Sequence, residues 1–195
     1  MTKRIMFVGP SGIGKTTLAQ YVAKSQNIPF VSGSMSDLLP AMKDLSHNEV
    51  LSLGSQAMQT ADYQLLSLRN RLFRGKEEFV TDRSYADLAA YFWYKQSRTI
   101  PECELEHFIG CCKASMEDQC DLAIFLPLNL CNYSDWAMED NKKRITNRFF
   151  QIQISSLMGE LLADWEIPTI CISELDLGMR TEQINYHLDG IWGKK

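Results

Sequence analysis

The residues with the clearest chemical purpose stand near the start of the chain, in the run Gly9-Pro10-Ser11-Gly12-Ile13-Gly14-Lys15-Thr16-Thr17, which fits the spacing G-x-x-x-x-G-K-[ST]. Glycines at those intervals let a short loop fold back on itself, so that successive backbone N–H groups point inward at the oxygens of a bound anion. A helix opening at Lys15 adds the positive end of its dipole. The Lys15 ammonium can then reach the β- and γ-phosphates of a nucleoside triphosphate, and the Thr16 hydroxyl can ligate Mg²⁺. The segment is therefore read as a phosphate cradle built from residues 9–17.

Two further segments could act on what the cradle holds. In Phe79-Val80-Thr81-Asp82-Arg83-Ser84, a carboxylate ends an apolar run and an arginine follows it. Asp82 could hold the hydration shell of Mg²⁺ or accept a proton from an attacking hydroxyl. The planar fork of Arg83 suits a clamp on an acceptor phosphate or on the group in transfer. In Asp140-Asn141-Lys142-Lys143-Arg144-Ile145-Thr146-Asn147-Arg148, two arginines stand four residues apart. On a helix start they share one face, and two guanidiniums there could stabilise charge on a transferring phosphoryl group. The alternative for each segment is ordinary: a strand-ending Asp that caps the next helix, and a solvated basic helix face. Other residues carry less. Tyr85, Tyr91, Phe92, Trp93 and Tyr94 crowd one helix and read mostly as core, with one or two able to touch substrate. Arg69, Arg71 and Arg74 could meet an acceptor phosphate or a DNA backbone, or only solvate a helix end. Glu104, His107 and Cys111 have helical ligand spacing but lack a fourth partner, and read as structural.

These residues need elements to carry them, and the chain supplies an alternation of strand and helix. Apolar runs at Lys3–Val8, 28–31, Glu78–Thr81, 122–126 and 168–172 predict five buried strands. Helices are expected at 15–25, from Asp37 to 42 with Asp37 as its cap, at 47–74, at 85–95 behind Ser84 and Asp87, at 101–118, at 143–165 and from 181 onward. Such an order predicts an α/β fold in which a parallel sheet is covered on both faces. Ligands of such sheets bind at the carboxyl ends of the strands, the rim where both Gly9 and Asp82 stand. The polar, loop-rich stretch 128–142 leads into the Arg144–Arg148 segment, so residues 128–148 are expected to form a closing lid. No repeat or linker divides the 195 residues, which predicts one domain over 1–195.

Composition narrows the setting. With 45% hydrophobic and 23% charged residues, the chain is ordinary globular material. The net charge of −4 excludes a wholesale basic coat for nucleic acid, yet three basic stretches (1–24, 69–83 and 142–148) could converge on a polyanionic ligand. No apolar run approaches the ~18 residues of a membrane span, and the apolar stretch after Arg4 is too short for a secretion signal. Six cysteines without a Cys-x-x-Cys pair read as reduced thiols, the pattern of a cytoplasmic protein.

Residues 9–17 resemble the Walker A loop of P-loop NTPases, and the wording Gly-Pro-Ser-Gly-x-Gly-Lys-Thr-Thr is similar to that of small-molecule kinases. The layout of the whole chain resembles the nucleoside and nucleotide kinase group, in particular thymidylate-kinase-like and nicotinamide-riboside-kinase-like enzymes of bacteria and their viruses. The resemblance implies a three-layer P-loop fold with a five-stranded parallel sheet and a helical lid. It implies ATP as co-substrate with Mg²⁺, the Asp82-Arg83 element between the two substrates, lid arginines at Arg144 and Arg148, and Asp37 near the place where several nucleoside kinases carry a catalytic base. Three functions follow as expectations. The first is transfer of the γ-phosphoryl of ATP to a nucleoside or nucleotide. The second is the same chemistry on a hydroxyl of a modified base in DNA, such as 5-hydroxymethyluracil. The third is a nucleotide-binding switch or ATPase, disfavoured because the chain has no Asn-Lys-x-Asp guanine reader, no apolar run ending Asp-Glu and no transporter signature. The oligomeric state stays open, a homodimer among the options.

Overall fold

The computed structural model describes residues 2–39, 54–128 and 147–193. In chain order they form β1 (Lys3–Val8), α1 (Lys15–Gln26), α2 (Met35–Leu38), α3 (Ser55–Phe73), β2 (Glu78–Thr81), α4 (Tyr85–Gln96), α5 (Glu102–Gln119), β3 (Leu122–Phe125), α6 (Arg148–Asp164), β4 (Thr169–Cys171) and α7 (Leu177–Trp192). The sheet is parallel throughout, in the order β2-β1-β3-β4, with Met6 opposite Thr81 on one side of β1 and opposite Ala123 on the other. The chain moves to one side of β1 to make β2 and to the other to make β3. That reversal beside β1 is where an open parallel sheet leaves a crevice at its carboxyl rim.

Alternate residues of β1 feed two cores. Met6 and Val8 face a core built with α3, α4, α5 and α6, whereas Ile5 and Phe7 face one built with α1 and α7. Both sets are fully buried, as expected of a strand covered by helices on both faces. On the first side, Phe73 stacks on Phe79 with ring centroids 4.8 Å apart, and Phe92 stacks on Phe108 at 3.8 Å. Each large side chain buried this way contributes about 1.5–3 kcal/mol. At the amino end of the sheet, Arg4 forms an ion pair of 2.7 Å with Asp121, which joins β1 to the start of β3. The contact raises the arginine's pKa through its hydrogen bond to Asp121.

Several expected boundaries move. Among the described residues the sheet has four strands, not five. Residues 28–31 add one parallel bridge, Phe30 to Val80, on the outer edge of β2. Val31 donates to the Val80 carbonyl at 2.9 Å and Val80 to that of Pro29 at 2.9 Å. Pro29 has no N–H to extend the ladder. The short helix α2 is capped by Ser34, whose side chain accepts from the Asp37 backbone N–H, so Asp37 lies inside its first turn and is not its cap. Helix α3 is described from Ser55, and the expected start at 47 lies outside the described residues. Helix α6 begins at Arg148, because the Asn147 side chain caps it by accepting from Phe150 N at 3.1 Å. Arg144, expected to share a helix face with Arg148, lies outside the described residues. Helix α7 begins at Leu177, capped by Asp176, four residues earlier than expected. No described helix is long and apolar enough to cross a membrane.

The carboxyl end of β1 stays bonded to the chain just past β3. Leu126 donates to the Val8 carbonyl at 2.9 Å, and Gly9 follows with φ +152°. A Cβ at Gly9 would lie 2.6 Å from the Leu126 carbonyl oxygen. Both the positive φ and the contact with rigid backbone demand glycine. Gly9→Ala is expected to lower the free energy of unfolding by about 2 kcal/mol or more, read as a shifted midpoint in denaturant titration.

Candidate functional site

The turn after β1 delivers the chain to α1 through Gly14, which holds φ 97° and ψ 12° as the N-cap and offers no side chain to the helix. Intrahelical bonding starts with Leu18 N to Gly14 O at 3.1 Å. The first N–H groups of α1 thus have no capping side chain and carry the positive end of the helix dipole. Lys15 opens the helix with its side chain folded back over the loop. It is 5% exposed, and its ammonium donates to the carbonyls of Gly9 and Pro10, the second at 2.9 Å. Burial pulls its pKa down to about 8, opposed by Asp87 and Asp82 and reinforced by Arg83 and Arg69. A bound triphosphate would reverse that balance by supplying negative charge. Thr16 and Thr17 are exposed beside it.

β2 lies next to β1 in parallel register, so Asp82 leaves the sheet alongside the start of α1. Thr16 donates its hydroxyl to Asp82 Oδ2 at 2.5 Å. Asp82 is 2% exposed, and its Oδ1 is buried with no hydrogen-bond partner among the described residues. A buried carboxylate oxygen without a partner is costly unless something else meets it. A hydroxyl beside such a carboxylate is a hard oxygen donor pair that fits Mg²⁺ completed by phosphate oxygens and water. Arg83 follows, half-buried, with its guanidinium on the Asp82 carbonyl at 3.3 Å. Its Cβ would stand 3.3 Å from a Cβ placed on Gly33, so the loop after Phe30 borders this arginine.

Arg69 holds that corner together. Its Nε donates to the Gly33 carbonyl at 3.1 Å and its Nη1 to that of Ser84 at 2.8 Å. Burial, then the neighbouring charge of Arg83, lowers its pKa to about 10. It is a buried brace, not an exposed contact for a phosphate or a DNA backbone, whereas Arg71 and Arg74 are exposed. Asp37 is exposed on α2 and accepts from the Ser32 hydroxyl at 2.5 Å, which sets it on the same loop that borders Arg83.

Three residues of the site have roles that sequence reasoning missed. Asp87 reads there as a helix-start residue, and its N–H does donate to Ser84 Oγ at 2.9 Å. Its buried carboxylate, however, accepts from Gly9 N at 3.2 Å. Tyr91, one turn later, takes the Ser11 N–H on its hydroxyl at 3.2 Å, and burial pushes its pKa up. Their four-residue spacing on α4 was the available signal. Arg180, far along the chain on α7, donates to the Ile13 carbonyl at 2.6 Å, and nothing in the sequence marks it.

The aromatic cluster divides. Tyr85 and Phe92 are fully buried, while Trp93 and Tyr94 are partly exposed. Phe150 meets both Tyr91 and Tyr94, with centroids 6.1 and 4.7 Å away. Arg148, two residues before Phe150, is exposed and sits over the Phe149 ring at 5.1 Å. The first turn of α6 is therefore linked to the cradle through Phe150, Tyr91 and Ser11. Arg144 and most of the expected lid lie outside the described residues. No group of three metal-ligating side chains occurs among the described residues, and Glu104 accepts from Gln59 at 2.9 Å.

Residues 5–70 match the family model described as "ATPase family associated with various cellular activities (AAA)". The ATP-dependent zinc metalloprotease FtsH 2 of Salinibacter ruber is 39% identical over 59 residues, which are 30% of this chain and 9% of that protein. The chain spans about a tenth of the length of the curated relatives it matches. In three dimensions the likeness covers nearly the whole chain. Deoxyadenosine kinase from M. mycoides with bound dATP has a TM-score of 0.73 at 13% identity, over 97% of this chain and 100% of that one. Thymidylate kinase from Candida albicans has a TM-score of 0.68 at 16% identity, over 98% and 93%. The chain has the fold of the small P-loop kinases.

Removing the brace on Gly9 tests this geometry. Asp87→Ala leaves a buried N–H unpaired and is expected to cost about 1–3 kcal/mol in unfolding free energy. Tyr91→Phe, at a less buried hydrogen bond, is expected to cost about 1 kcal/mol. Urea titration of both variants reads the difference.

Proposed function

We propose that the chain is a phosphotransferase that moves the γ-phosphoryl group of ATP to a nucleoside or nucleotide acceptor, with Mg²⁺. The observation that carries this reading is the contact between Thr16 and Asp82. It joins a helix start suited to phosphate with a buried carboxylate and an adjoining arginine, Arg83, that a phosphate cradle alone does not need. Residues 9–17 would hold the triphosphate, with Lys15 leaving the carbonyls of Gly9 and Pro10 for the β- and γ-oxygens. Thr16 and Asp82 would hold the metal, whose charge offsets that building up on the phosphate oxygens. Asp82, or Asp37 from the loop that borders Arg83, would accept the proton of the acceptor hydroxyl as that oxygen bonds to the γ-phosphorus and the bond to ADP breaks. Arg83 would orient the acceptor, and Arg148 with Arg144 would close over the transferring group.

A second reading has an observation of its own. The match to an AAA family model, and to a short stretch of an ATP-dependent protease, favours simple ATP hydrolysis. That match ends at residue 70, before Asp82, Arg83 and Arg148. The two readings part on acceptor dependence, because a kinase must keep water from the γ-phosphate until its acceptor arrives.

The deciding experiment incubates the protein with γ-labelled ATP, Mg²⁺ and a panel of nucleosides, nucleoside monophosphates and DNA bearing 5-hydroxymethyluracil. Label is expected on a nucleoside or a monophosphate, with ATP consumption slow until that acceptor is present. Fast hydrolysis that ignores every acceptor selects the ATPase, and label on the DNA selects the polymer substrate. Lys15→Ala is expected to abolish transfer in a folded protein. Asp82→Asn is expected to lower kcat by about 10²-fold or more with a smaller change in ATP affinity. Arg144→Ala and Arg148→Ala are each expected to lower acceptor-dependent kcat by about 10²-fold, measured by coupled ADP release.

A further inference from the structure

Arg180 occupies a costly position. It is 4% exposed in the first turns of α7, its Nη1 donates to the Ile13 carbonyl at 2.6 Å, and its Nε donates to the Glu174 carbonyl. Its Nη2 is buried with no partner among the described residues. A Cβ on Gly14 would come within 3.4 Å of Nη1, so the guanidinium lies against the Ile13–Gly14 peptide itself. A buried guanidinium with an unmet donor is a poor choice for mere attachment of α7, which an apolar contact would achieve without desolvating a charge.

The geometry of the peptide unit says what else it does. The unit is planar and trans, so the Ile13 carbonyl and the Gly14 N–H point in opposite directions. Fixing the carbonyl on Arg180 fixes the N–H on the far side, away from α7. A cation at the oxygen also polarises the unit and strengthens its N–H as a donor. Gly14, with its positive φ, has little side-chain restraint of its own to hold that orientation. Asp87 and Tyr91 restrain Gly9 and Ser11 from the α4 side, and Arg180 restrains Ile13 from the α7 side. We propose that Arg180 is a positioning residue for the triphosphate, which aims and strengthens the Gly14 N–H as a phosphate donor and ties the cradle to the segment after β4. The inference rests on the nucleotide reading above and adds to it a residue that touches the loop only from behind.

The test uses the whole chain, with ATP and with inorganic tripolyphosphate, which probes the cradle without the base. In the wild type, the Gly14 amide resonance is expected to shift on addition of tripolyphosphate. Arg180→Met is expected to weaken both ligands by about tenfold or more, to raise KM for ATP with a smaller change in kcat, and to move the Gly14 amide resonance before any ligand is added. Arg180→Lys keeps one charged donor, so it is expected to recover part of the affinity and to remain informative if the methionine variant does not fold. A folded Arg180 variant with wild-type affinity for both ligands and an unmoved Gly14 amide overturns the inference. Loss of binding in Lys15→Ala alongside that result leaves the nucleotide reading standing. A wild-type protein that binds neither ligand overturns both.

Discussion

The parallel pairing of β1 with β2 is the constraint on which the site depends. Both strands end at the same rim, and the pairing of Met6 with Thr81 sets where each following residue leaves the sheet. Because parallel strands present their carboxyl ends together, the turn into α1 and the turn into α4 face one another. Thr16 and Asp82 are 66 residues apart in sequence, yet their side chains bond. A slip of one residue in this register would turn Asp82 to the opposite face of the sheet and empty the site of its carboxylate.

Around that contact, the buried lysine is surrounded by charges of both signs. Lys15 lies among Asp87, Asp82, Arg83 and Arg69, with the carboxylates opposing the loss of its proton and the arginines favouring it. Arg69 is buried but answers two carbonyls, so its charge is spent on bracing the Gly33 and Ser84 turns. Buried charges held in this manner add little net stability, and their value is geometric. A loop rich in glycine has many accessible shapes, and these side chains reduce them to one before a ligand arrives. That is how preorganisation lowers the cost of binding.

The brace on the loop is distributed over three distant elements. Asp87 and Tyr91 come from α4 and Arg180 from α7, while the link from Tyr91 to Phe150 continues to the first turn of α6. Helix α6 follows directly on the segment expected to act as a lid.

Much of this could be read from the chain alone. The spacing of Gly9, Gly14, Lys15 and Thr16 marked the loop expected to cradle phosphate, because the chemistry needs adjacent residues whose distances are set by the backbone. The apolar runs located β1, β2, β3 and β4, and the Ser84 and Asp87 pair located the start of α4, because these signals too are local. Residues 28–31 have the same apolar look but form only an edge bridge, since Pro29 cannot extend a ladder and no composition rule weighs a single missing donor against a neighbouring strand. The braces were decided by tertiary structure. Asp87 as the acceptor for Gly9, Arg69 as the partner of Gly33 and Ser84, and Arg180 as the partner of Ile13 all join residues far apart in sequence. Such contacts depend on how helices settle on the sheet, and a buried arginine looks the same in sequence as a solvated one until that packing is known.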